Sequence, residues 1–263
     1  MYCFLEIVMI YHFEVILASY NGERFIEEQL LSILNQRNSV LNISVFDDGS
    51  TDKTCSIVEA MSDVYKNIRL FRRDVNTGSA ANNFLIGLGQ VLRTVEKDEY
   101  FIAFSDQDDI WVEDKLERAI IKSLSSPWDL YCSNLQMVHS GKRIGILRKD
   151  YPQRRHDFLF EGGSAGCTYI FQKRLGLAVD HTFRRINVDD WQSFSHDWFV
   201  YFVARYGAFK VFIDKFSSVN YRIHDTNVHG SLSTGSFNAL LGKYKLLREG
   251  WFDACFFIKN ITF

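Results

Sequence analysis

EVILASYNG, residues 14–22, is an apolar run that ends in a turn, and it decides the fold class. Consecutive apolar residues with β-branched members are typical of a short strand buried on both faces. The Asn-Gly pair behind it favours a turn. From Arg24 to Asn35 apolar residues recur at helical spacing, which predicts an amphipathic helix. The stretch therefore predicts a strand, a turn and a helix in succession.

The same unit recurs along the first half of the chain. Further strands are predicted at Ile43–Phe46, Ile68–Phe71 and Tyr100–Phe104. A second helix should be capped by Ser50 or Thr51, and a third should span Ser79–Val95. Strands that alternate with helices predict an α/β fold, with a mostly parallel central sheet and helices on both faces.

The second half is less regular, and we expect it to complete the same fold. The predicted helices are Glu113–Leu124, Asp197–Tyr206 and Asn238–Ile258. The predicted strands are Asp129–Ser133, Cys167–Phe171, Ala208–Ile213 and Ser217–Arg222. Gly162–Gly166 is a glycine-rich stretch, interpreted either as a hinge or as the floor of a binding site.

Polar clusters follow each of the four predicted strands of the first half. They are Ser19–Asn21, Asp47-Asp48, Asn76–Gly78 and Asp106–Asp109. Because ligands of parallel sheets bind beyond the carboxyl ends of the strands, these clusters should converge on one edge.

Asp106, Asp108 and Asp109 place three carboxylates within four residues. Such charges repel one another unless a cation or several hydrogen-bond donors neutralise them. Carboxylate oxygens suit Mg²⁺ or Mn²⁺, which are commonly held by one or two carboxylates plus substrate phosphates. The alternative is an exposed acidic turn that caps the next helix, and Asp47 and Asp48 could likewise belong to an ordinary capped turn.

Composition excludes several classes of protein. The formal charge of −2 over 263 residues argues against nucleic acid as a partner, and no apolar run is long enough to span a bilayer. The five cysteines show no CxxC pair and are interpreted as reduced core residues. Met1–Phe13 lacks the features of a signal peptide. We therefore expect a cytoplasmic chain, with peripheral contact at the inner face of the cell membrane left open.

Four motifs in order resemble the family 2 glycosyltransferases. They are Val15–Glu23, Phe46–Asp52, Asn76–Gly78 and Ser105–Asp109. The resemblance covers about residues 13–225 and implies the GT-A (nucleotide-diphospho-sugar transferase) fold, a dTDP- or UDP-sugar donor and a divalent metal, Mg²⁺ or Mn²⁺. It also implies one domain over residues 1–263, with a nucleotide-binding half (about 13–110), an acceptor-side half (about 111–230) and a C-terminal helical segment (231–263) that is shorter than in related enzymes.

Two later segments are similar to a bacterial rhamnosyltransferase-like branch of that family. They are His196-Asp197-Trp198 and Tyr221–Gly230. This resemblance implies inverting transfer of rhamnose from dTDP-rhamnose to a saccharide or lipid-linked saccharide in cell-surface polysaccharide synthesis. A UDP-hexose or UDP-N-acetylhexosamine donor, or a catalytically silent binding protein, remains an alternative. The apolar end Trp251–Phe263 is interpreted as a buried helix, with membrane-surface contact second.

The resemblance implies roles for individual residues. Asp47 would meet the pyrimidine base, Asp106 would lie near the ribose, Asp108 would bind the metal, and Asp197 would be the general base. The donor-binding set is Ala18, Ser19, Tyr20, Glu23, Asp47, Asp48, Asn76, Gly78, Asp106, Gln107 and Asp108. The metal set is Asp108, Asp106 and His224, and the acceptor side has Gly166, His196 and Trp198.

Some of these residues, and two of their neighbours, have simpler interpretations. Asp197 could be a helix N-cap, and His224 and His229 could be loop histidines packed against their neighbours. Lys115, close behind the acidic cluster, is interpreted as a solvated helix charge and not as a catalytic group.

Overall fold

The computed structural model describes residues 11–186 and 194–224. Its first part alternates strands and helices as predicted. The elements are β1 (Tyr11–Ser19), α1 (Ile26–Leu34), β2 (Ser39–Asp47), α2 (Thr54–Val64), β3 (Ile68–Arg72), α3 (Ala80–Thr94) and β4 (Phe101–Asp106).

The second part adds five strands and three helices among the described residues. The elements are β5 (Ile110–Trp111), α4 (Lys115–Ser125), β6 (Leu130–His139), β7 (Lys142–Leu147), β8 (Ile170–Gln172), α5 (Lys173–Phe183), α6 (His196–Tyr206) and β9 (Val211–Ile223).

These strands form one sheet in the order β3-β2-β1-β4-β8-β6-β9-β5, with β7 paired to β6. The predicted parallel pairing is confirmed for β3, β2, β1 and β4. β8 joins this parallel part to the rest by antiparallel pairing with β4 and with β6, while β6 and β9 are parallel. The parallel part therefore extends into a mixed sheet beyond β4.

Helices cover both faces of the sheet, and β1 explains why. Val15 and Leu17 belong to one buried cluster with residues of α1, α2 and α4, whereas Ile16 and Ala18 belong to another with residues of α3, α5 and α6. Side chains alternate along a strand, so a continuous apolar run supplies both cores. Burial of each large side chain contributes about 1.5–3 kcal/mol.

The cap predicted for α2 is wrong. The helix begins at Thr54, and the carboxylate of Asp52 accepts from the Thr54 N–H at 2.9 Å. The Ser50 hydroxyl donates instead to Asp47 at 2.5 Å. Ser50 is therefore part of the turn that follows β2.

Several elements of the second half differ from the prediction. Residues 166–168 form a single 3₁₀ turn, so the strand predicted at Cys167–Phe171 is reduced to β8. The two strands predicted within 208–222 are one strand, β9, with irregular pairing between Asp214 and Ser217. The hairpin strand β7 and helix α5 were not predicted, because β7 is a largely exposed edge without clear alternation and α5 follows β8 without an intervening turn.

Some predictions concern residues outside the described ranges. These are the start of the chain before Tyr11, His229 and the helical segment 231–263. Within the described ranges, no helix is long and apolar enough to cross a bilayer.

The irregularity in β9 is held by the carboxylate of Asp214. One oxygen accepts from Arg118 Nε at 2.9 Å and from the Tyr131 hydroxyl at 3.1 Å, and the other accepts from the Phe216 N–H at 3.1 Å. Burial raises the pKa of Asp214, but these donors lower it by more, so the pKa lies below its ordinary value.

We predict that Asp214→Asn lowers the free energy of unfolding at pH 7 by about 1.5–3 kcal/mol, the contribution of hydrogen bonds to a charged group. Glu113→Gln is the control, since Arg37 and Glu113 form an exposed pair worth less than about 1 kcal/mol. Urea denaturation measures both.

The pH dependence of the Asp214→Asn effect has a definite sign. A carboxyl with a depressed pKa stabilises the fold above its unfolded pKa of about 4 and loses that contribution as pH falls through its folded pKa. The difference between the unaltered chain and Asp214→Asn should therefore shrink below about pH 4. A difference that is constant down to pH 3 would contradict this account.

Candidate active site

The register of the sheet brings the polar clusters to one edge. Ser19, the last residue of β1, is paired with Asp47 at the end of β2. Ala18 is paired on its other side with Asp106 at the end of β4. Because parallel strands present the same end at the same edge, the sequence motifs converge as predicted.

The loop after β1 is joined to the loop after β2 by side chain–backbone hydrogen bonds. The Asn21 N–H donates to Ser50 Oγ and the Gly22 N–H to Thr54 Oγ1, both at 2.8 Å. The carboxylate of Glu23 accepts from the Lys53 N–H at 2.9 Å. Glu23 therefore organises the junction of the two loops.

Asp47 and Asp48 organise the loops as well. Asp47 is fully buried and accepts from the Ser19 hydroxyl at 2.9 Å and from the Ser50 N–H at 2.8 Å. Asp48 accepts from the N–H and the hydroxyl of Thr77 at 2.9 and 2.8 Å. A contact of Asp47 with a base stays a prediction, and both carboxylates already have a structural task.

The loop after β3 contains the predicted donor-binding residues Asn76 and Gly78. The Asn76 side chain accepts from the Gly78 N–H. Gly78 has φ of +71°, a left-handed conformation that favours glycine. Thr77 lies between them and ties this loop to Asp48, so the third cluster is joined to the second.

Gln107 connects the acidic turn to the loop after β1. Its Oε1 accepts from the Tyr20 N–H at 2.9 Å and its Nε2 donates to the Tyr20 carbonyl at 3.0 Å. Gly22 lies against this side chain, and a Cβ there would be 2.1 Å from Gln107 Oε1, so a larger residue would displace the Gln107 amide. The Tyr20 side chain is 49% exposed, so its ring is available at this edge for a planar ligand.

The acidic turn after β4 is electrostatically strained. Burial, followed by the charges of Asp109, Asp108 and Asp197, raises the pKa of Asp106 well above its ordinary value. Burial and the charge of Asp108 raise the pKa of Asp109 to about 7. Asp106 and Asp109 therefore ionise at higher pH than an exposed aspartate does.

Lys115 is the positive charge that the fold provides, and the prediction that it is solvated is wrong. The residue is completely buried. Its Nζ donates to the Cys167 carbonyl at 2.6 Å and lies 3.5 Å from the centroid of the Trp111 ring. Burial lowers the pKa of Lys115 to about 7, although the charges of Asp109 and Asp106 raise it. The helix position of Lys115 gave no signal for this, because the 3₁₀ turn whose Cys167 carbonyl accepts from its Nζ comes from a distant part of the chain.

Cys167 is a neighbour of this site that the sequence did not indicate. Its Sγ and one oxygen each of Asp106 and Asp109 all lie within 4.8 Å of one another. Burial raises the pKa of its thiol well above the ordinary value, so the group stays neutral. A neutral thiol is a poor ligand for a hard cation, and we do not assign Cys167 to the metal. Cys55 and Cys132 are also buried free thiols, as predicted for those residues.

His224 lies against the acidic turn, as the predicted metal set requires. Its Nε2 is 2.8 Å from Asp108 Oδ2. The backbone N–H of Arg222 donates to Asp109 Oδ1 at 3.1 Å, which holds the end of β9 beside the turn. A role of His224 as a metal ligand stays a prediction.

Asp197 lies at the start of α6, and its charge reaches Asp106. The N-cap is Ser195, whose side chain accepts from the Trp198 N–H, so the alternative that Asp197 caps the helix is wrong. Asp197 Oδ1 also accepts from the Trp198 N–H, at 2.7 Å. Asp197 is half-buried.

The glycine-rich stretch packs against α6. A Cβ on Gly166 would lie 2.1 Å from His196 Nε2, and the His196 ring stacks on Phe84 with centroids 4.1 Å apart. The Trp198 indole donates to the Phe158 carbonyl at 2.9 Å. Gly166, His196 and Trp198 therefore position the start of α6, and with it Asp197. Their contact with an acceptor stays a prediction.

The residues present fit a divalent cation. His224 offers an imidazole nitrogen in contact with Asp108, and Asp106, at the end of β4, is close enough for the charge of Asp108 to act on it. Burial and then the neighbouring carboxylates raise the pKa of Asp106, and a bound cation would favour its ionised form.

Comparison with known proteins agrees with this arrangement. The family model described as "Glycosyl transferase family 2" matches residues 14–175. The dTDP-rhamnosyl transferase RfbG of Shigella flexneri is 33% identical over 90% of this chain and 80% of its own length. An Escherichia coli relative, the UDP-Glc:alpha-D-GlcNAc-diphosphoundecaprenol beta-1,3-glucosyltransferase WfgD, is 30% identical over 62% of this chain and 61% of its own.

A solved structure shares the fold. That of S. aureus TarS 1-349 in complex with UDP-GlcNAc aligns with a TM-score of 0.63 at 19% identity, over 90% of this chain and 65% of that one. The chain thus spans about two thirds of the TarS fragment's length. Together with the family match, the fold and the motif geometry, this similarity shows that the chain belongs to glycosyl transferase family 2, whose members are GT-A-fold glycosyltransferases.

Proposed function

We propose that the chain is an inverting glycosyltransferase that moves rhamnose from dTDP-rhamnose to a hydroxyl of a growing cell-surface polysaccharide or lipid-linked saccharide. The observation that carries this proposal is the contact of His224 with Asp108 in the turn after β4, together with the charges of Asp108 and Asp197 that act on Asp106. The choice of donor is supported by the similarity to the Shigella dTDP-rhamnosyl transferase.

The donor would lie along the edge formed by the loops after β1, β2, β3 and β4. The exposed ring of Tyr20 is suited to stack on a base. The loop of Asn76 and Gly78 is joined to the same edge by the hydrogen bond from Thr77 to Asp48. This edge ends at Asp106 and Asp108, where the diphosphate would lie.

Asp197 is proposed to activate the acceptor. A sugar hydroxyl is a poor nucleophile at neutral pH, so Asp197 accepts its proton as the oxygen attacks the anomeric carbon. The bond from that carbon to the diphosphate breaks, and the nucleoside diphosphate leaves with the electron pair. A single displacement of this kind inverts the configuration and needs one carboxylate base.

Asp106, Asp108 and His224 are proposed to hold Mg²⁺ or Mn²⁺. When bound, such a cation neutralises charge that develops on the departing diphosphate. Without it, the carboxylates would repel the donor, since the acidic turn already contains more negative charge than Lys115 balances. We therefore expect the chain to bind the donor productively only when a divalent cation is bound with it.

A UDP-hexose donor is the second candidate. It is supported by the similarity to the Escherichia coli relative, whose name specifies UDP-Glc. The loops described above would contact a pyrimidine nucleotide and a cation, and neither contact selects the sugar ring. The proposal also includes the saccharide or lipid-linked saccharide acceptor and a peripheral contact of the chain with the cytoplasmic face of the membrane.

We predict that dTDP-rhamnose with Mn²⁺ stabilises the chain more than UDP-glucose, UDP-galactose or UDP-N-acetylglucosamine. A ligand at 100 times its dissociation constant adds about 2.7 kcal/mol of stability, which thermal unfolding detects. Turnover of the same donors measures the released nucleoside diphosphate. Stabilisation by a UDP-sugar alone would favour the second candidate, and stabilisation by none would contradict a transferase.

Asp197→Asn should abolish turnover and leave donor binding intact. Removal of a general base costs about 10²–10⁴-fold in kcat, because the amide cannot accept the proton. Asp180→Asn is the matched control, a half-buried carboxylate on α5 that pairs with Arg184. If Asp197→Asn instead weakens donor binding as measured by calorimetry, the role of base is wrong.

Asp108→Asn should weaken Mn²⁺-dependent donor binding by about 10- to 100-fold, in the range found when a metal site loses a supporting charge. The control is Asp98→Asn, an exposed aspartate before the opposite end of β4. Titration of Mn²⁺ at fixed donor measures the effect. An unchanged dependence on Mn²⁺ would remove Asp108 from the metal set.

A further inference from the structure

His224 lies just beyond the end of β9, where strand pairing no longer constrains it. Its side chain is nevertheless largely buried, with 13% of its surface exposed, and its Nε2 meets Asp108 Oδ2. A metal-site imidazole needs a fixed ring orientation, because only one nitrogen can face the ion. The question is which neighbouring groups orient this ring.

Phe25 provides a flat surface for the imidazole. The two rings are stacked, with centroids 4.8 Å apart and an interplanar angle of 29°. Phe25 is anchored in turn at the entrance of α1, where its N–H donates to the Gly22 carbonyl at 2.9 Å. The surface on which His224 rests therefore belongs to the loop after β1, which carries Tyr20 and Glu23.

The Phe25 ring is also contacted by two guanidinium groups. Arg222 lies 4.9 Å from the ring centroid and Arg24 lies 5.0 Å from it. Arg222 donates to Glu28 on α1 at 2.9 Å, and its own N–H bonds Asp109. The ring is thus held at the point where α1, the end of β9 and the acidic turn meet.

We propose that Phe25 is a positioning residue of the cation site, which holds the His224 imidazole against Asp108 so that the donor loop and the metal ligands assemble as one unit. The inference rests on the proposed function and deepens it by naming a group that acts through His224. Phe25 itself contacts no reacting atom in this scheme.

Simple packing is the competing explanation, and it makes a different prediction. A residue that only fills space would affect stability and would change cation binding whether or not His224 is present. A residue that acts through His224 should have no further effect once the imidazole is removed. A double-mutant cycle separates the two.

The test measures the affinity of the donor-free chain for Mn²⁺ by electron paramagnetic resonance, for Phe25→Leu, His224→Ala and the double variant. Leucine keeps an apolar group of similar size and removes the stacked ring. Phe25→Tyr restores a ring and serves as the rescue variant. Phe216→Leu is the matched control, since Phe216 is also half-buried with a guanidinium, that of Arg118, 4.1 Å from its ring centroid.

We expect Phe25→Leu to weaken Mn²⁺ binding by about three- to tenfold, the range of an aromatic pair. We expect no further loss in the His224→Ala background, near-normal affinity for Phe25→Tyr and no change for Phe216→Leu. Urea denaturation checks that each variant is folded, and Phe25→Met replaces Phe25→Leu if the latter does not fold.

Two results would overturn the proposal. One is an affinity of Phe25→Leu equal to that of the unaltered chain, and the other is a loss of the same size with and without His224. Neither would affect the proposed function, which depends on donor binding and turnover by the unaltered chain. Absence of Mn²⁺ binding by the unaltered chain, with and without dTDP or UDP, would overturn both.

Discussion

The negative charge gathered at the end of β4 is the constraint on which the site depends. Three aspartates within four residues repel one another, and burial makes the repulsion larger because little water screens it. The buried side chain of Lys115 lies next to this cluster, and it contacts the Cys167 carbonyl and the Trp111 ring. Burial and the neighbouring carboxylates still raise the pKa of Asp106 well above its ordinary value, although Lys115 lowers it. In the proposed function, a divalent cation bound with the donor diphosphate would neutralise these carboxylates.

The loops after β1, β2 and β3 are joined to one another by hydrogen bonds within the protein. Carboxylate and hydroxyl side chains bond to backbone N–H groups of neighbouring loops, as Asp47 does with Ser50 and Asp48 with Thr77. Such bonds satisfy backbone groups at strand ends that have no ladder partner. The motif residues thus have structural work beside the roles that the family implies, and variants at these positions would alter loop geometry together with ligand binding.

Elements of the second half of the chain lie beside the acidic turn of the first half and complete the candidate site. β9 runs parallel to β6 and ends beside the acidic turn, where the Arg222 N–H bonds Asp109 and His224 meets Asp108. Helix α6, which packs on one face of the sheet, carries Asp197 in its first turn. The contacts span more than 110 residues along the chain in the case of His224 and Asp108. The residues proposed as base and as cation ligands therefore come from separate elements that the sheet brings together.

The sequence by itself determined the alternation of strands and helices before β4 and the position of the polar clusters, because side-chain periodicity and strand-end chemistry are local properties. The roles given to Asp106, Asp108 and Asp197 came from the family resemblance and stay predictions. The burial of Lys115, the proximity of Cys167 and the stacking of Phe25 on His224 were decided by the tertiary structure alone. Helix position predicts an exposed charge at Lys115, and only the packing of residues 166–168 against β4 turns it into a buried counter-ion. Local patterns carry no information about which distant segment covers a residue, and that covering sets its charge, contacts and role.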